Sequence, residues 1–435
     1  MRGTPRLRRL APYGALAVLA LALVACAQEY PNTTFQPNSE YGRAIDFLWD
    51  RLLFFGTLVF VLVEAALIYV VFKYRRRDET TTPPQTHGNT KLEIIWTLIP
   101  AVILVFIAVP TVRTIFETQA KAQKGALEIE VYGRQWWWEF KYPEYGFSTA
   151  NEIYIPTGRT VNLVLRTKDV IHSFWVPQLA GKRDLIANRT NHIWFTPDST
   201  APTTVWNGFC TEYCGASHAN MRFRVITVQP NEFASWVQHQ QSSAFFSTAP
   251  APAAPATVTP AVATAPVDST GKPVVAEATA TLATAATQPA ATPNVPGFII
   301  PADKVPAYAI PETPIPARIK FDDKLVGDPA SGEKLFVGAG TCNACHTIKG
   351  SPMAVGNIGP DLTHIGSRLT IGAGMFKNDA KHMARWIKNA RVMKPGNIMT
   401  TLGKGEYDPQ LKNKMTAGLS DQQIADIVAY LAALK

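Results

Sequence analysis

The chain has 435 residues, with 42 Lys and Arg against 33 Asp and Glu, a formal net charge of +9. Arg2, Arg6, Arg8 and Arg9, with Lys73, Arg75, Arg76 and Arg77, account for nearly all of that excess. Cations massed beside apolar runs are membrane-topology signals, which excludes reading the basicity as a nucleic-acid surface.

The first predicted element is a secretory signal over residues 1–25. A cationic start is followed by an apolar run from Leu16 to Val24 that is too short to span a bilayer and gives way at once to polar residues. Cys26 follows it directly. Two longer apolar stretches come next, from about Leu52 to Phe72 and from Leu92 to Phe116. Each has the roughly 20 residues a transmembrane helix needs, so residues 26–120 read as an N-terminal segment and a helical hairpin, with helices at about 48–72 and 92–116. Pro100 and Pro110 are expected to bend the second helix. The basic cluster lies in the short loop between the helices, which places that loop in the cytoplasm and everything after residue 117 outside. Glu64 interrupts the first helix, and intramembrane carboxylates are functional candidates by default; a polar contact to a neighbouring subunit is the plainer alternative. Glu93 opens the second helix, where the positive end of the dipole favours an acid.

From about Ala126 to Val228 the pattern turns to short alternating segments such as Leu127–Val131, Thr160–Leu165, His192–Phe195 and Phe223–Val228. This spacing predicts a β-sandwich or barrel over residues 121–237. Trp136, Trp137 and Trp138 are consecutive, and since strand faces alternate they cannot all enter one core. Further on, Cys210, Cys214, His218 and Met221 fall within twelve residues. Thiolate and thioether select copper, and imidazole also suits it, whereas zinc sites do not recruit Met. A Cys210–Cys214 disulfide with an unrelated His and Met nearby is the alternative.

Residues 238–318 are rich in Ala, Pro and Thr, a composition that reads as a linker. A flexible chain of that length spans roughly 50 Å end to end, which would tether the last region without fixing it. Residues 319–435 carry Cys342-Asn-Ala-Cys345-His346. C-x-x-C-H reads as covalent haem attachment through two thioethers, with the histidine as proximal iron ligand. Ser420-x-x-Gln423 is a capping box before a closing amphipathic helix. Of the five cysteines, two go to copper and two to haem, leaving only Cys26 and none for a further disulfide.

These motifs, in this order, resemble cytochrome c oxidase subunit II of a bacterial haem–copper terminal oxidase, with a C-terminal cytochrome c fused on. Residues 210–221 resemble the loop of the family's binuclear copper centre, CuA, and Asp169-Val-Ile-His172-Ser-Phe174 matches its upstream "DVxHSF" phrase. The resemblance implies a CuA set of His172, Cys210, Cys214, His218, Met221 and the Glu212 backbone carbonyl. The Glu212 carboxylate would face a magnesium ion shared with subunit I. It implies a cupredoxin-like Greek-key domain between the hairpin and an all-α class I cytochrome c. Trp136 best matches the family's electron-input residue, although packing against the membrane face or subunit I would also account for these tryptophans. Glu93, in Glu93-Ile-Ile-Trp-Thr-Leu-Ile-Pro100, matches the entrance of a proton pathway into the large subunit. Asp169, Lys182 and Asp184 match positions at the surface between subunits. Leu23-Val-Ala-Cys26 resembles a bacterial lipobox, making Cys26 the lipidated first residue of the mature protein; an ordinary signal cut nearby is the alternative. The family's distal haem ligand sits in a "KPGxxMP" phrase, and Lys394-Pro-Gly-Asn-Ile-Met399-Thr400 points to Met399, with Met393 as competitor because Thr400 replaces the proline.

The function this implies is an electron-carrying subunit of a respiratory oxidase in the bacterial inner membrane. It would have two passes, with both redox domains on the periplasmic side. A membrane-bound or periplasmic donor would feed its haem, and subunit I, with further subunits, would reduce the oxygen. A quinol oxidase subunit lacks the copper ligands found here, and eight histidines spread over the chain do not supply the second copper site of a nitrous oxide reductase. A CuA-bearing subunit of a nitric oxide reductase shares the wiring and stays open.

Overall fold

The computed structural model describes residues 31–75, 87–244, 298–415 and 417–435. The signal segment and Cys26 lie outside the described residues, as does most of the Ala/Pro/Thr-rich stretch.

Two long helices come first, α1 (Glu40–Lys73) and α2 (Thr90–Gln119). Both are long and apolar enough to cross a membrane. Apart from Tyr41 and Gly42 none of their side chains is buried, as expected of helices whose apolar surface belongs in lipid. Their starts are capped, Ser39 accepting from Gly42 N and Asn89 from Leu92 N. The helices begin earlier than hydropathy suggests because the first turn of α1 is seated on the next domain. Arg43 pairs with Asp198 at 2.8 Å, and Glu40 accepts from Thr196 N at 2.9 Å. Pro100 and Pro110 lie within α2, which continues through both.

Residues 127–228 form a sandwich of two five-stranded sheets. The strands are β1 (Leu127–Arg134), β2 (Trp137–Tyr142), β3 (Phe147–Ala150), β4 (Glu152–Pro156), β5 (Val161–Thr167), β6 (His172–Trp175), β7 (Arg183–Leu185), β8 (Asn191–Phe195), β9 (Thr204–Cys210) and β10 (Arg222–Val228). Sheet order is β3-β2-β1-β5-β8 in one layer and β4-β10-β9-β6-β7 in the other. Alternating apolar side chains from both layers, among them Leu127, Ile129, Phe140, Leu163, Phe174, Phe223 and Val225, fill the core. A capped helix, α3 (Pro230–Gln241), closes the sandwich with Phe233 and Trp236, the latter stacked on Tyr154.

The C-terminal domain is helical, with α4 (Pro329–Val337), α5 (Ala380–Met393) and α6 (Asp421–Ala433). Its core joins Phe336, Met383, Ile387, Ile424, Ile427 and Val428, and the Ser420–Gln423 capping box starts α6.

At both edges of the linker the structure differs from the compositional reading. The helix α3 runs past residue 238. From residue 298 the chain is packed on the sandwich, with Ile300 and Ala309 in its core and Tyr308 Oη donating to Val205 O at 3.2 Å. Composition hides this because a few apolar side chains, not average hydropathy, make the contact. The helical domain is likewise not merely tethered; it lies directly against the sandwich.

Candidate metal and haem centres

The geometry of the first site is set by a hairpin. Strands β9 and β10 pair antiparallel, and Cys210 N donates to Met221 O at 3.1 Å, so residues 211–220 form a closed loop with Cys210 and Met221 at its base. Strand β6 pairs with β9 on the other side, Phe174 opposite Cys210, which brings His172 to the same end. Within the loop a short 3-10 turn at His218–Asn220 folds the second imidazole back over Cys214.

The donor atoms converge. Cys210 and Cys214 sulfurs are 3.8 Å apart, both free thiols. His172 Nδ1 is 3.8 Å from Cys210 Sγ, His218 Nδ1 is 3.6 Å from Cys214 Sγ, and Met221 Sδ is 3.8 Å from Cys214 Sγ. The Glu212 carbonyl oxygen lies 3.3 Å from Cys210 Sγ, while the Glu212 side chain is exposed. Two central sulfurs flanked by one imidazole each, with a thioether and a carbonyl at the periphery, fit a pair of soft metal ions. The electrostatics agree. The Cys214 S–H first, with His172 and nearby backbone groups, holds the Cys210 thiol well below its ordinary value despite burial, and the Cys210 thiolate in turn holds Cys214 up. A metal would displace that last proton.

His172 is held by a residue whose role the sequence reading placed elsewhere. Asp169 Oδ1 is 2.8 Å from His172 Nε2 and accepts from Val170 N at 2.8 Å, while Oδ2 accepts from Gln135 N at 2.7 Å. Burial lowers the His172 pKa, but the hydrogen bonds to Asp169 and Cys210 outweigh it and raise the value. The Asp-x-x-His spacing was the available signal. The ring also packs close against β1, where a Cβ on Gly133 would fall 2.5 Å from its Cδ2; only glycine permits that approach. Lys182 and Asp184 are exposed at β7.

The three tryptophans separate as alternation requires. Trp138 is fully buried against Phe174, Phe223 and His172. Trp137 is half-buried under Arg134, whose guanidinium carbon is 5.3 Å from the ring centroid. Trp136 is half-buried, and its indole N–H donates to Cys214 O at 2.8 Å, as does Gln135 Nε2. Glu93 is exposed in the first turn of α2, and Glu64 is exposed on α1.

In the helical domain Cys342 begins a 3-10 turn, and His346 N donates back to Cys342 O at 3.0 Å, so both thiols and the imidazole leave one tight bend. His346 Nδ1 is 2.7 Å from Pro360 O. Donation there fixes the tautomer with its Nε2 lone pair free. Burial keeps the ring's pKa below the usual value, so this residue set fits a covalent haem with a neutral proximal ligand. Met399 is half-buried in the loop after α5, whereas Met393 is buried in the apolar core. His364 lies against His239 with ring centroids 4.2 Å apart, and His382 bonds Asp379 at 2.7 Å in the first turn of α5.

Comparison with known proteins follows this division. The family model for the cytochrome c oxidase subunit II transmembrane domain matches residues 31–114, that for its periplasmic domain residues 146–228, and that for cytochrome c residues 329–435. The chain is similar to cytochrome c oxidase subunit 2 of Alkalihalophilus pseudofirmus, 28% identical over 429 residues, covering 97% of this chain and 96% of that one. It is 32% identical over 216 residues to a probable cytochrome c oxidase subunit 2 of Rickettsia bellii, covering 45% of this chain and 78% of the relative. The crystallised periplasmic domain of cytochrome oxidase subunit II of Bradyrhizobium japonicum is 31% identical, with a TM-score of 0.26; the match covers 28% of this chain and 97% of that one.

Proposed function

This chain belongs to the cytochrome c oxidase subunit II family, and we propose that it passes electrons from its own haem to a copper pair and on to the oxygen-reducing large subunit. It is thus a component of an oxidoreductase, with a role in electron transfer; its periplasmic domain implies CuA and its cytochrome domain haem c. The reading gives the two passes to α1 and α2 in the bacterial inner membrane, with both redox domains on the outer face. Relatives named as cytochrome c oxidase subunits support oxygen over nitric oxide as the terminal acceptor.

When bound, the two groups supply reversible one-electron chemistry. Cys342 and Cys345 would anchor the haem, His346 and Met399 would ligate its iron, and His172, Cys210, Cys214, His218, Met221 and the Glu212 carbonyl would hold the coppers. The β-ladders fix the copper ligands before the metal arrives, so little reorganisation accompanies a change of charge. Asp169 orients His172, and Trp138, Phe174 and Phe223 exclude water from beneath it.

The observation that carries the proposed path of transfer is at Trp136. Its indole N–H is bonded to the carbonyl of Cys214, and its backbone carbonyl accepts from Lys394 of the haem domain. Trp136 therefore bridges the two halves, its indole on the copper loop and its backbone carbonyl on the haem domain. Glu93 as a proton-pathway entrance, the Glu212 carboxylate as a magnesium ligand and Cys26 as a lipid anchor are further parts of this proposal.

The test is the assembled oxidase carrying Cys342→Ser and Cys345→Ser. Copper spectra should persist, turnover with the natural donor should collapse, and a small chemical reductant should still drive oxygen consumption. Undiminished turnover with the natural donor would show that electrons reach copper without the haem.

A further inference from the structure

The helical domain meets the sandwich through a set of buried polar contacts. Glu152 on β4 is 3% exposed. Its carboxylate accepts from Leu369 N at 2.9 Å, Thr370 N at 2.8 Å and Thr370 Oγ1 at 3.0 Å, all from the haem domain. Arg224, its register partner on β10, is 2% exposed and donates to Gly374 O at 3.0 Å and to Ala309 O at 2.6 Å. Arg222 N donates to Ala373 O at 3.2 Å. Leu369, Thr370, Ala373 and Gly374 are thus hydrogen-bonded to residues of β4 and β10. A second strip lies beside it: Lys394 Nζ donates to Trp136 O and Ser217 Oγ to Pro395 O. There Gly396, at φ +85°, passes so close to Trp136 that a Cβ would fall 2.6 Å from the indole.

Burying a carboxylate, a guanidinium and an ammonium is costly unless each is bonded. Here the bonds to the Glu152 carboxylate, and the one from Lys394 to Trp136 O, exist only while the domains touch; Lys394 keeps a longer one to Gly372 O at 3.4 Å within its own domain. A contact built this way discriminates strongly between orientations, because a shifted haem domain would leave charges buried and unpaired. The glutamate also stands where it need not. With the haem domain in place the strand Glu152–Pro156 is buried along its whole length, and although Arg224 lies beside it in the sheet, the hydrogen bonds that the Glu152 carboxylate accepts come from outside the sandwich. Arg368 adds a cation on the haem-domain side whose field acts on this carboxylate.

We propose that Glu152 is a positioning residue that locks the haem domain in one orientation on the copper domain, with the Met399 loop laid over Trp136. Electron transfer then occurs within a preformed contact and not after a search on a tether. This deepens the reading above and rests on its claim that the haem feeds the copper.

The experiment photoreduces the haem in the assembled oxidase and follows haem reoxidation and copper reduction as solvent viscosity is raised. In the wild type a single phase should appear at both centres, with a rate independent of viscosity. Glu152→Lys sets a cation against Arg368 and Arg224 and should replace that phase by one at least about tenfold slower that falls with viscosity, given the strength of hydrogen bonds to charged groups. Glu152→Asp should keep the fast phase. A wild-type rate that itself falls with viscosity, or a Glu152→Lys enzyme that retains the fast phase, overturns the proposal. Should Glu152→Lys lose its copper or haem spectrum, the wild-type viscosity series decides alone. Haem reoxidation with no matching copper reduction in the wild type would instead refute the electron path on which this rests.

Discussion

Replacing Asp169 by Asn should weaken copper binding while leaving every direct ligand in place. The carboxylate spans two jobs: Oδ1 meets His172 Nε2 at 2.8 Å, and Oδ2 receives Gln135 N at 2.7 Å. Burial pushes its carboxyl up, and hydrogen bonds from His172, Gln135 and Val170 more than offset this, leaving it below the ordinary value. It is therefore an ionised acceptor on both sides. An Asn can accept on only one, so either His172 or Gln135 meets an N–H where it needs an oxygen. Loss of an outer partner to a metal-bound histidine typically costs about 10–100-fold in affinity. That corresponds to about 1.4–2.7 kcal/mol. Competitive copper titration of the full chain in detergent, against a chelator of known strength, should show the dissociation constant rising by that factor, with free-thiol content unchanged beforehand. An affinity within about twofold of wild type would mean that the β6–β9 pairing alone fixes the imidazole.

Trp136→Ala should slow haem-to-copper transfer while both cofactor spectra persist, since Gln135 Nε2 still serves the Cys214 carbonyl; an unchanged rate would move the path to the Ser217–Pro395 contact. Met399→Ala should abolish the sulfur-to-iron charge-transfer band of the oxidised haem, whereas Met393→Ala should keep the band and lower unfolding stability by about 2–5 kcal/mol through the core cavity it leaves. The reverse pattern would exchange their roles. His364 is pulled down to about 4, by burial first and then by His239. Folding favours its neutral form, so its contribution is full above the ordinary value of about 6.5 and is lost as pH falls toward 4. Unfolding measured at pH 7 and pH 5 should show about 2 kcal/mol of acid loss that disappears in His364→Phe.

What the sequence makes legible here is chemistry that is local. The four loop ligands from Cys210 to Met221 lie in one hairpin connection, and Cys342, Cys345 and His346 lie in one turn, so spacing alone announces them. Hydropathy finds the lipid-facing part of α1 but not its first turns, whose polar residues are seated on the sandwich. The domain contact was illegible for a different reason. Glu152 and Thr370 are 218 positions apart, and no periodicity links an isolated strand acid to backbone N–H groups in another domain. Composition then read the intervening chain as a free tether, although Ile300, Tyr308 and Ala309 bind the sandwich through a handful of side chains.

The copper loop and the docking surface are parts of the same piece of backbone. The β9–β10 hairpin ends in Cys210 and Met221; its loop supplies Ser217 to Pro395, and the residues just past it, Arg222 and Arg224, supply contacts to Ala373 and Gly374. Trp136 joins that unit from β1–β2 through the Cys214 carbonyl. Sliding the haem domain relative to the copper ligands would therefore strip hydrogen-bond partners from buried charges, which is costly. Electron transfer depends steeply on separation, so a scaffold in which one hairpin defines both the metal and its docking face holds that separation by construction. The linker's part is then to keep the haem domain at high local concentration, while Glu152, Arg224 and Lys394 decide which of its faces meets the copper.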